Sequence, residues 1–389
     1  MRFALIGCGY VADFYMLTLG SHPELELAGA FDIDGGRLER FTTFYSVNRF
    51  DSLDAILDDP SIELVVNLTN PARHYELSML CLAAGKHVYS EKPLAMNLGQ
   101  ARELVEEAQR RGLLISSAPS SLLGEAAQTM WKAVRDGYIG EPRLILANME
   151  DDMPFRMGCH LWRNKSGAPW PYADEFEVGV VLEHAGYVLT WLVAFFGPIS
   201  TISGSSAVLY PDKMPGETLA NPGPDFASAT ILFKGGQIAR VSCSLIANED
   251  RSMHIFGTAR ALVCDDLWSF RSPVYSWVVR PALPNLARKV YNRIYSILEH
   301  RAPSLLKVKI PHLGAGRTGN LHHKSQMDFL AGPSDLADAI RSNRQPRLSP
   351  EFCLHVNEAA LALSELGEEG SVYRMTTSCG PVAPMPWAT

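Results

Sequence analysis

The chain has 389 residues, enough for two domains of ordinary size. Hydrophobic residues make up 47% and charged residues 20%, a globular composition that excludes a disordered or fibrous chain. The formal charge of −7 excludes a general attraction to nucleic acid.

The first third alternates strand-like and helix-like stretches. Apolar runs at 2–7, 25–32, 62–68, 86–90 and 113–117 read as strands. Helix-like stretches lie between them at about 10–20, 35–45, 72–84 and 97–112. This βα repeat predicts a parallel sheet of Rossmann type. The first turn reads FALIGCGYVADFY, a G-x-G-x-x-A pattern of Gly7, Gly9 and Ala12 between a strand and a helix. Gly7 permits the tight turn, Gly9 lets the main chain approach a pyrophosphate, and Ala12 lets helix and sheet pack closely. Tyr10 and Val11 complete that turn at the helix N-terminus, where N–H groups meet phosphate. Asp32, at the end of the second strand, stands where an acid accepts hydrogen bonds from the adenosine ribose. A carboxylate there repels a 2′-phosphate, and no basic residue follows it directly, so NAD is favoured over NADP.

YSEKPLAMN, 89–97, follows the strand at 86–90. Ligands of parallel sheets bind beyond the strands' carboxyl ends, so Lys92 emerges at the cofactor crevice beside Glu91. Pro93 restricts Lys92 to extended backbone. A lysine there can donate to a substrate hydroxyl.

After about 122 the rhythm changes. A helix at 122–136 leads to a strand near 143–149, an irregular polar and aromatic loop at 150–177, and a helix at 178–196. Strand-like runs follow at 200–209, 227–234, 237–247, 252–257 and 260–265, with Lys234-Gly235-Gly236-Gln237 as a hairpin turn. Consecutive strands with short turns predict an open, mainly antiparallel sheet. Helices at about 325–342 and 350–366 close the chain. The expected division is a Rossmann domain at 1–121 and an α+β substrate and oligomerisation domain at 122–389. Loop 150–177 supplies Trp162, Arg163 and other aromatic and polar side chains of the kind that bind sugars.

Between 271 and 324 ten Lys and Arg stand against one acid, Glu299. Leu286, Val290, Ile294, Ile297 and Leu298 fall near helical spacing there. The segment is read as a basic insertion with three open roles: a solvated face, a subunit contact, or a peripheral contact with an anionic membrane.

The seven cysteines show no metal-ligand spacing. They read as reduced, buried thiols of a cytoplasmic protein. MRFALIG leaves no room for a signal peptide before the first strand. YVLTWLVAFFGPI, 187–199, is shorter than the roughly 20 residues that span a bilayer and reads as the end of a buried helix. His322 and His323 have no evident third ligand, so no metal is expected.

In this order G-x-G-x-x-A at 7–12, Asp32, NLTNPARH at 67–74, AGKHVYSEKPLA at 84–95 and GYIGEPR at 137–143 resemble the Gfo/Idh/MocA oxidoreductases. The resemblance implies a substrate between the two domains, usually a sugar or polyol, a catalytic Lys92, and a Lys-Pro peptide that is often cis. It brings Asn70 and His74 to the crevice and Pro119 near the nicotinamide. Counting back from Phe195-Phe196-Gly197-Pro198 puts Glu183 where the family usually has Asp and Tyr187 where it usually has His. Members similar to glucose–fructose oxidoreductase carry Tyr there. Glu183 and Tyr187 share a helix face. Tyr187 is then the general base, brought down by the charges of Lys92 and the oxidised nicotinamide, and His184 is the neighbouring alternative.

The leading expectation is an NAD-dependent dehydrogenase of a sugar, glycoside or nucleotide-sugar. Two alternatives stand beside it: redox-assisted glycoside cleavage with recycled NAD, and a catalytically silent NAD-binding scaffold or sensor. A homo-oligomer is expected from the exposed face of the second sheet.

Overall fold

The computed structural model describes residues 1–214, 219, 221–278, 285–297, 307–314 and 327–389. Two sheets organise them. The first has the order β2-β1-β3-β4-β5, all parallel, with β1 Arg2–Ile6, β2 Glu26–Phe31, β3 Leu64–Asn67, β4 His87–Ser90 and β5 Ile115–Ser117. Its central strand β3, Leu-Val-Val-Asn, is buried at every position, as a strand covered on both faces must be. The connecting helices are α1 Ala12–Thr18, α2 Gly35–Tyr45, α3 Leu53–Leu57, α4 His74–Ala83 and α5 Leu98–Arg111. Local chemistry fixes their ends. Asp34 caps α2 through the Arg37 N–H, and Asn97 caps α5 through the Gln100 N–H.

The second sheet has the order β13-β12-β11-β10-β6-β9-β8-β7-β14. Its strands are β6 Pro142–Glu150, β7 Ile199–Ala207, β8 Phe226–Phe233, β9 Ile238–Ser244, β10 Met253–Gly257, β11 Arg260–Cys264, β12 Val274–Val278, β13 Val308–Ile310 and β14 Ser371–Arg374. Neighbours run antiparallel except β6 and β9. Along β8, buried and exposed residues alternate, so one face meets the core and the other stays open.

The remaining helices are α6 Glu125–Arg135, α7 Tyr172–Val178, α8 Val180–Phe196, α9 Asn285–Ile297, α10 Ala331–Arg341 and α11 Pro350–Ser364. Helix α8 crosses the covered face of the second sheet and is buried on all sides except at His184. Each of its large apolar side chains contributes roughly 2 kcal/mol by leaving water. Helix α11 joins the halves: Asn357 accepts from the Ala95 N–H (3.3 Å) and donates to the Ala95 carbonyl (3.1 Å), beside the turn that carries Lys92. Helix α10 returns to the first sheet, where Leu336 and Ala337 pack with Phe3, Leu5 and Tyr89.

The expected strands and helices are present with shifted ends. The basic insertion adds β12 and the edge strand β13 and contains α9, where Leu286 and Val290 are exposed. Leu298, His322 and His323 lie outside the described residues. Among the described residues no single helix is long and apolar enough to cross a membrane. All seven cysteines are free, and Cys379 alone is not buried.

Candidate active site

A cavity of about 520 Å³ opens between the carboxyl ends of β1, β3 and β4 and the N-terminal turn of α8, a size that suits a bound small molecule. On the first-sheet side Gly9, Tyr10 and Val11 form its rim. Gly7, beneath them, has φ +97°, and a Cβ there would stand 2.7 Å from the Leu68 carbonyl oxygen. A Cβ on Gly9 would meet only open space, so its absence leaves room at the cavity rim. Ala12 is fully buried and lines no part of the opening.

Asp32 accepts from the Cys8 N–H (2.8 Å) and the Asp34 N–H (2.8 Å), which ties the second strand to the glycine turn. The Arg37 guanidinium lies 3.4 Å from the same carboxylate and reaches the cavity wall.

The Lys92–Pro93 peptide is cis. Glu91 accepts from the Tyr15 hydroxyl (2.7 Å) and the Lys92 N–H (3.1 Å), so helix α1 holds the turn. His74 clamps the same turn from α4: one ring nitrogen lies 2.7 Å from the Pro93 carbonyl and the other 2.8 Å from the Thr69 carbonyl. Burial pushes this imidazole down, against the two carbonyls that draw it up. Asn70 reaches across to Asp174 at 2.5 Å. Pro119 packs near Gly186 behind Lys92 and does not line the main cavity, contrary to its expected place beside a cofactor.

The Lys92 ammonium donates to Glu183. Burial works against the charged lysine, but the attraction of Glu183, then Glu175, outweighs it and holds Lys92 well above its ordinary value. Lys92 is therefore a donor that has no room for another proton. Glu175, on α7, also lines the cavity. Burial and then the charge of Glu183 push its carboxyl up to about 7 against the pull of Lys92.

Tyr187 stacks on Trp268, with ring centroids 4.4 Å apart. Lys92 does draw this phenol down, yet the phenol stands above its ordinary value. Burial comes first and outweighs Lys92, with Glu91 and Glu183 adding to the rise. His184 bonds through Nδ1 to Asp151, whose other oxygen accepts from Arg251 Nε at 2.5 Å. Burial pushes the Asp151 carboxyl up, but His184 and Arg251 prevail and hold it at about 2.

Trp162 lines the cavity with Trp170, at 5.2 Å between ring centroids. Arg163 does not. Its guanidinium folds back on the carbonyls of His160 (3.0 Å) and Trp162 (2.8 Å), so its expected substrate role has no geometric basis. The cations on the wall are Lys92, Arg37 and Arg251. Sequence reasoning also missed Trp268, Phe329 and Glu175. Among the described residues no group of three His, Cys, Asp or Glu could hold a metal ion.

A family profile described as an oxidoreductase family with an NAD-binding Rossmann fold matches residues 1–118. Its companion, the GFO/IDH/MocA C-terminal domain, matches 127–263. The chain belongs to the Gfo/Idh/MocA oxidoreductase family. Residues 1–118 are thus an NAD(P)-binding domain, as the glycine turn suggested. The mouse trans-1,2-dihydrobenzene-1,2-diol dehydrogenase is 24% identical over 297 residues, which cover 75% of this chain and 83% of the relative. Two solved structures share the fold. The WlbA dehydrogenase of Bordetella pertussis, in complex with NADH and UDP-GlcNAcA, superposes with a TM-score of 0.66 at 17% identity, covering 93% of this chain and 94% of that one. KijD10, a 3-ketoreductase of Actinomadura kijaniata in complex with NADP, gives 0.68 at 17% identity, covering 93% and 96%.

Proposed function

We propose that this oxidoreductase exchanges hydride between NAD(P) and a hydroxyl-bearing carbon of a sugar, glycoside or nucleotide-sugar. One observation carries the reading. The Lys92 ammonium, fixed by Glu183, stands in the same cavity as the glycine turn and a wall of Trp162, Trp170, Trp268 and Tyr187. Aromatic faces with a few placed polar groups suit a sugar ring. The relatives' names point the same way: a diol dehydrogenase, a dehydrogenase seen with UDP-GlcNAcA, and a 3-ketoreductase.

The cofactor fits the residues present. Gly9 leaves room for a pyrophosphate, and Asp32 stands ready for ribose hydroxyls. When bound, the nicotinamide supplies the hydride chemistry. The chain does the rest. Lys92 donates to the reacting oxygen and stabilises negative charge that develops there. Glu183 keeps Lys92 charged and aimed. Tyr187 holds the substrate hydroxyl against the Trp268 stack. NAD remains the favoured cofactor because the Asp32 carboxylate repels a 2′-phosphate, although Arg37 stands beside it.

The alternative of glycoside cleavage with recycled NAD draws support from a clasp. Asn164 of the second half bonds the carbonyls of Gly9 (3.4 Å) and Tyr10 (3.1 Å), and the Ser166 N–H bonds Asp13 (2.8 Å). A clasped phosphate turn releases its dinucleotide slowly. Self-association through the open sheet face, where His254, Phe256 and Trp277 cluster, belongs to the same proposal. The first test follows absorbance of reduced nicotinamide with NAD or NADP and a panel of polyols, glycosides and nucleotide-sugars. Substrate-dependent reduction supports the dehydrogenase. Glycoside cleavage without net reduction supports the alternative.

A further inference from the structure

Helix α8 is buried all round except at His184, whose side chain is 14% exposed. That one opening faces the cavity. The ring is fixed on two sides, and Arg251 braces both partners. Asp151 takes its Nδ1, Trp268 meets it edge-on at 5.8 Å, and Arg251 lies over Trp268 at 4.9 Å while bonding Asp151. Both Asp151 oxygens are thus engaged, one by each partner. A carboxylate accepts only, so Nδ1 must be the N–H, and the lone pair of the neutral ring sits on Nε2. Nε2 has no partner among the described residues. The sequence left His184 as the neighbouring alternative, because the aligned motif positions are Glu183 and Tyr187.

Resting on the proposed dehydrogenase reading, we infer that His184, oriented by Asp151, takes the proton of the oxidised hydroxyl, while Tyr187 holds that hydroxyl without titrating. The O–H bond breaks and its proton passes to Nε2. The C–H bond breaks, its electron pair leaves with the hydrogen to the nicotinamide, and the C=O bond forms. In reduction the imidazolium returns the proton. Asp151 then faces a full positive charge, as an orienting carboxylate should. The other groups are unsuited. Lys92 is already charged, Glu183 is engaged with it, and the Tyr187 phenol is pushed up by burial. The charged and titratable groups facing His184 are Asp151 from the end of β6, Arg251 before β10, Glu175 from α7, Lys92 after β4 and Glu183 on α8 itself. Glu175 is the serious competitor, since its carboxyl titrates near neutrality.

Two experiments test this. The first needs no substrate. Histidine ¹⁵N NMR of the resting protein, with His184 assigned by substitution, shows an Nδ1–H tautomer with an unprotonated Nε2, and Asp151→Asn abolishes that preference. An Nε2–H tautomer in the wild type overturns the inference. The second reads turnover with NAD or NADP on myo-inositol, UDP-N-acetylglucosamine and glucose. His184→Gln lowers kcat by about 10²–10⁴-fold and removes the acid limb of the kcat/KM profile. Cofactor affinity by fluorescence quenching is unchanged, and added imidazole partly restores His184→Gly. Tyr187→Phe and Glu175→Gln lose rate but keep the acid limb. If the limb survives in His184→Gln and vanishes in Glu175→Gln or Tyr187→Phe, the inference falls and the dehydrogenase reading stands. If the wild type oxidises no probe, the dehydrogenase reading falls and takes this inference with it.

Discussion

On the first-sheet side of the cavity, Gly9, Tyr10, Leu68 and Thr69 present a turn and strand ends, and the key contacts are made by main-chain N–H and carbonyl groups. On the facing side, α7, α8 and the ends of β6 and β10 present ionisable side chains that touch one another: Glu183 on Lys92, His184 on Asp151, Arg251 on Asp151. The first wall is positioned by backbone geometry and tolerates change in side chains that point elsewhere. The second is positioned by buried charge, where removing one partner strands the other. The difference predicts that substitutions on the second wall cost stability and rate together, while those on the first alter cofactor choice and exchange.

The largest effect should come from Lys92→Met. Glu183, 3% exposed, would be left as an unpaired buried charge, a loss of about 3–5 kcal/mol in chemical denaturation. Turnover should fall by about 10²–10⁴-fold. Adding Glu183→Leu should recover most of the stability and none of the turnover. A Lys92→Met protein as stable as the wild type would break the contrast between the two walls.

Buried ionisable groups away from the cavity sharpen it. His355 of α11 accepts the Ile199 N–H at 2.9 Å through Nε2, so that nitrogen must be unprotonated. Burial holds this imidazole down at about 4. The unfolded chain binds the proton below about 6.5 while the folded one refuses it until about 4. Its stability contribution is therefore complete above pH 6.5 and declines through that window, by about 3 kcal/mol in all. Urea midpoints measured from pH 7.5 to 4 check this. His355→Gln should flatten the decline.

Cofactor choice tests the first wall. Asp32→Ser removes the carboxylate that the 2′-phosphate would meet and frees the Arg37 guanidinium, now 3.4 Å from it. The proposed preference for NAD over NADP should fall by about 10- to 100-fold, the worth of one charge-assisted hydrogen bond of about 1.5–3 kcal/mol. Dissociation constants for both dinucleotides give the ratio directly. Equal loss for the two would mean that Asp32 serves the glycine turn through Cys8 and not the ribose.

The same contrast governs what was legible beforehand. The first wall could be read because its signals are local, a glycine pattern within six residues and an acid at a strand end, and so is the Lys-Pro that supplies the partner of Glu183 on the second wall. The second wall joins groups far apart in sequence. His184 and Asp151 are separated by 33 positions, and Arg251 and Asp151 by 100. Pairing of the ends of β6 and β10, seen in the Glu150–Asp250 bridge, brings Arg251 to Asp151, and no spacing rule announces it. Glu183 and Tyr187 came from the family resemblance and not from periodicity. Helix α7 went unread because it is seven residues long and begins next to Pro171. Arg163 was read as a binder because its residue type suits sugars, but its reach is decided by the turn it folds back upon.

The clasp at Asn164 is where the two walls meet, and it gives the smallest effect. Its side-chain amide reaches two main-chain carbonyls of the glycine turn, at 3.1 and 3.4 Å. Losing this contact in Asn164→Ala removes about 0.5–1.5 kcal/mol per bond; the bond from the Ala168 N–H to the Asn164 Oδ1 (2.7 Å) goes as well, while the Ser166 N–H still holds Asp13. The dinucleotide should then leave about 2- to 12-fold faster, with its entry little changed, since affinity differences among variants of one site fall mostly on dissociation. Stopped-flow displacement of bound reduced nicotinamide measures that rate. A faster release with unchanged kcat would mean that exchange does not limit turnover. An increase in kcat would mean that the second wall sets the pace by holding the first one shut.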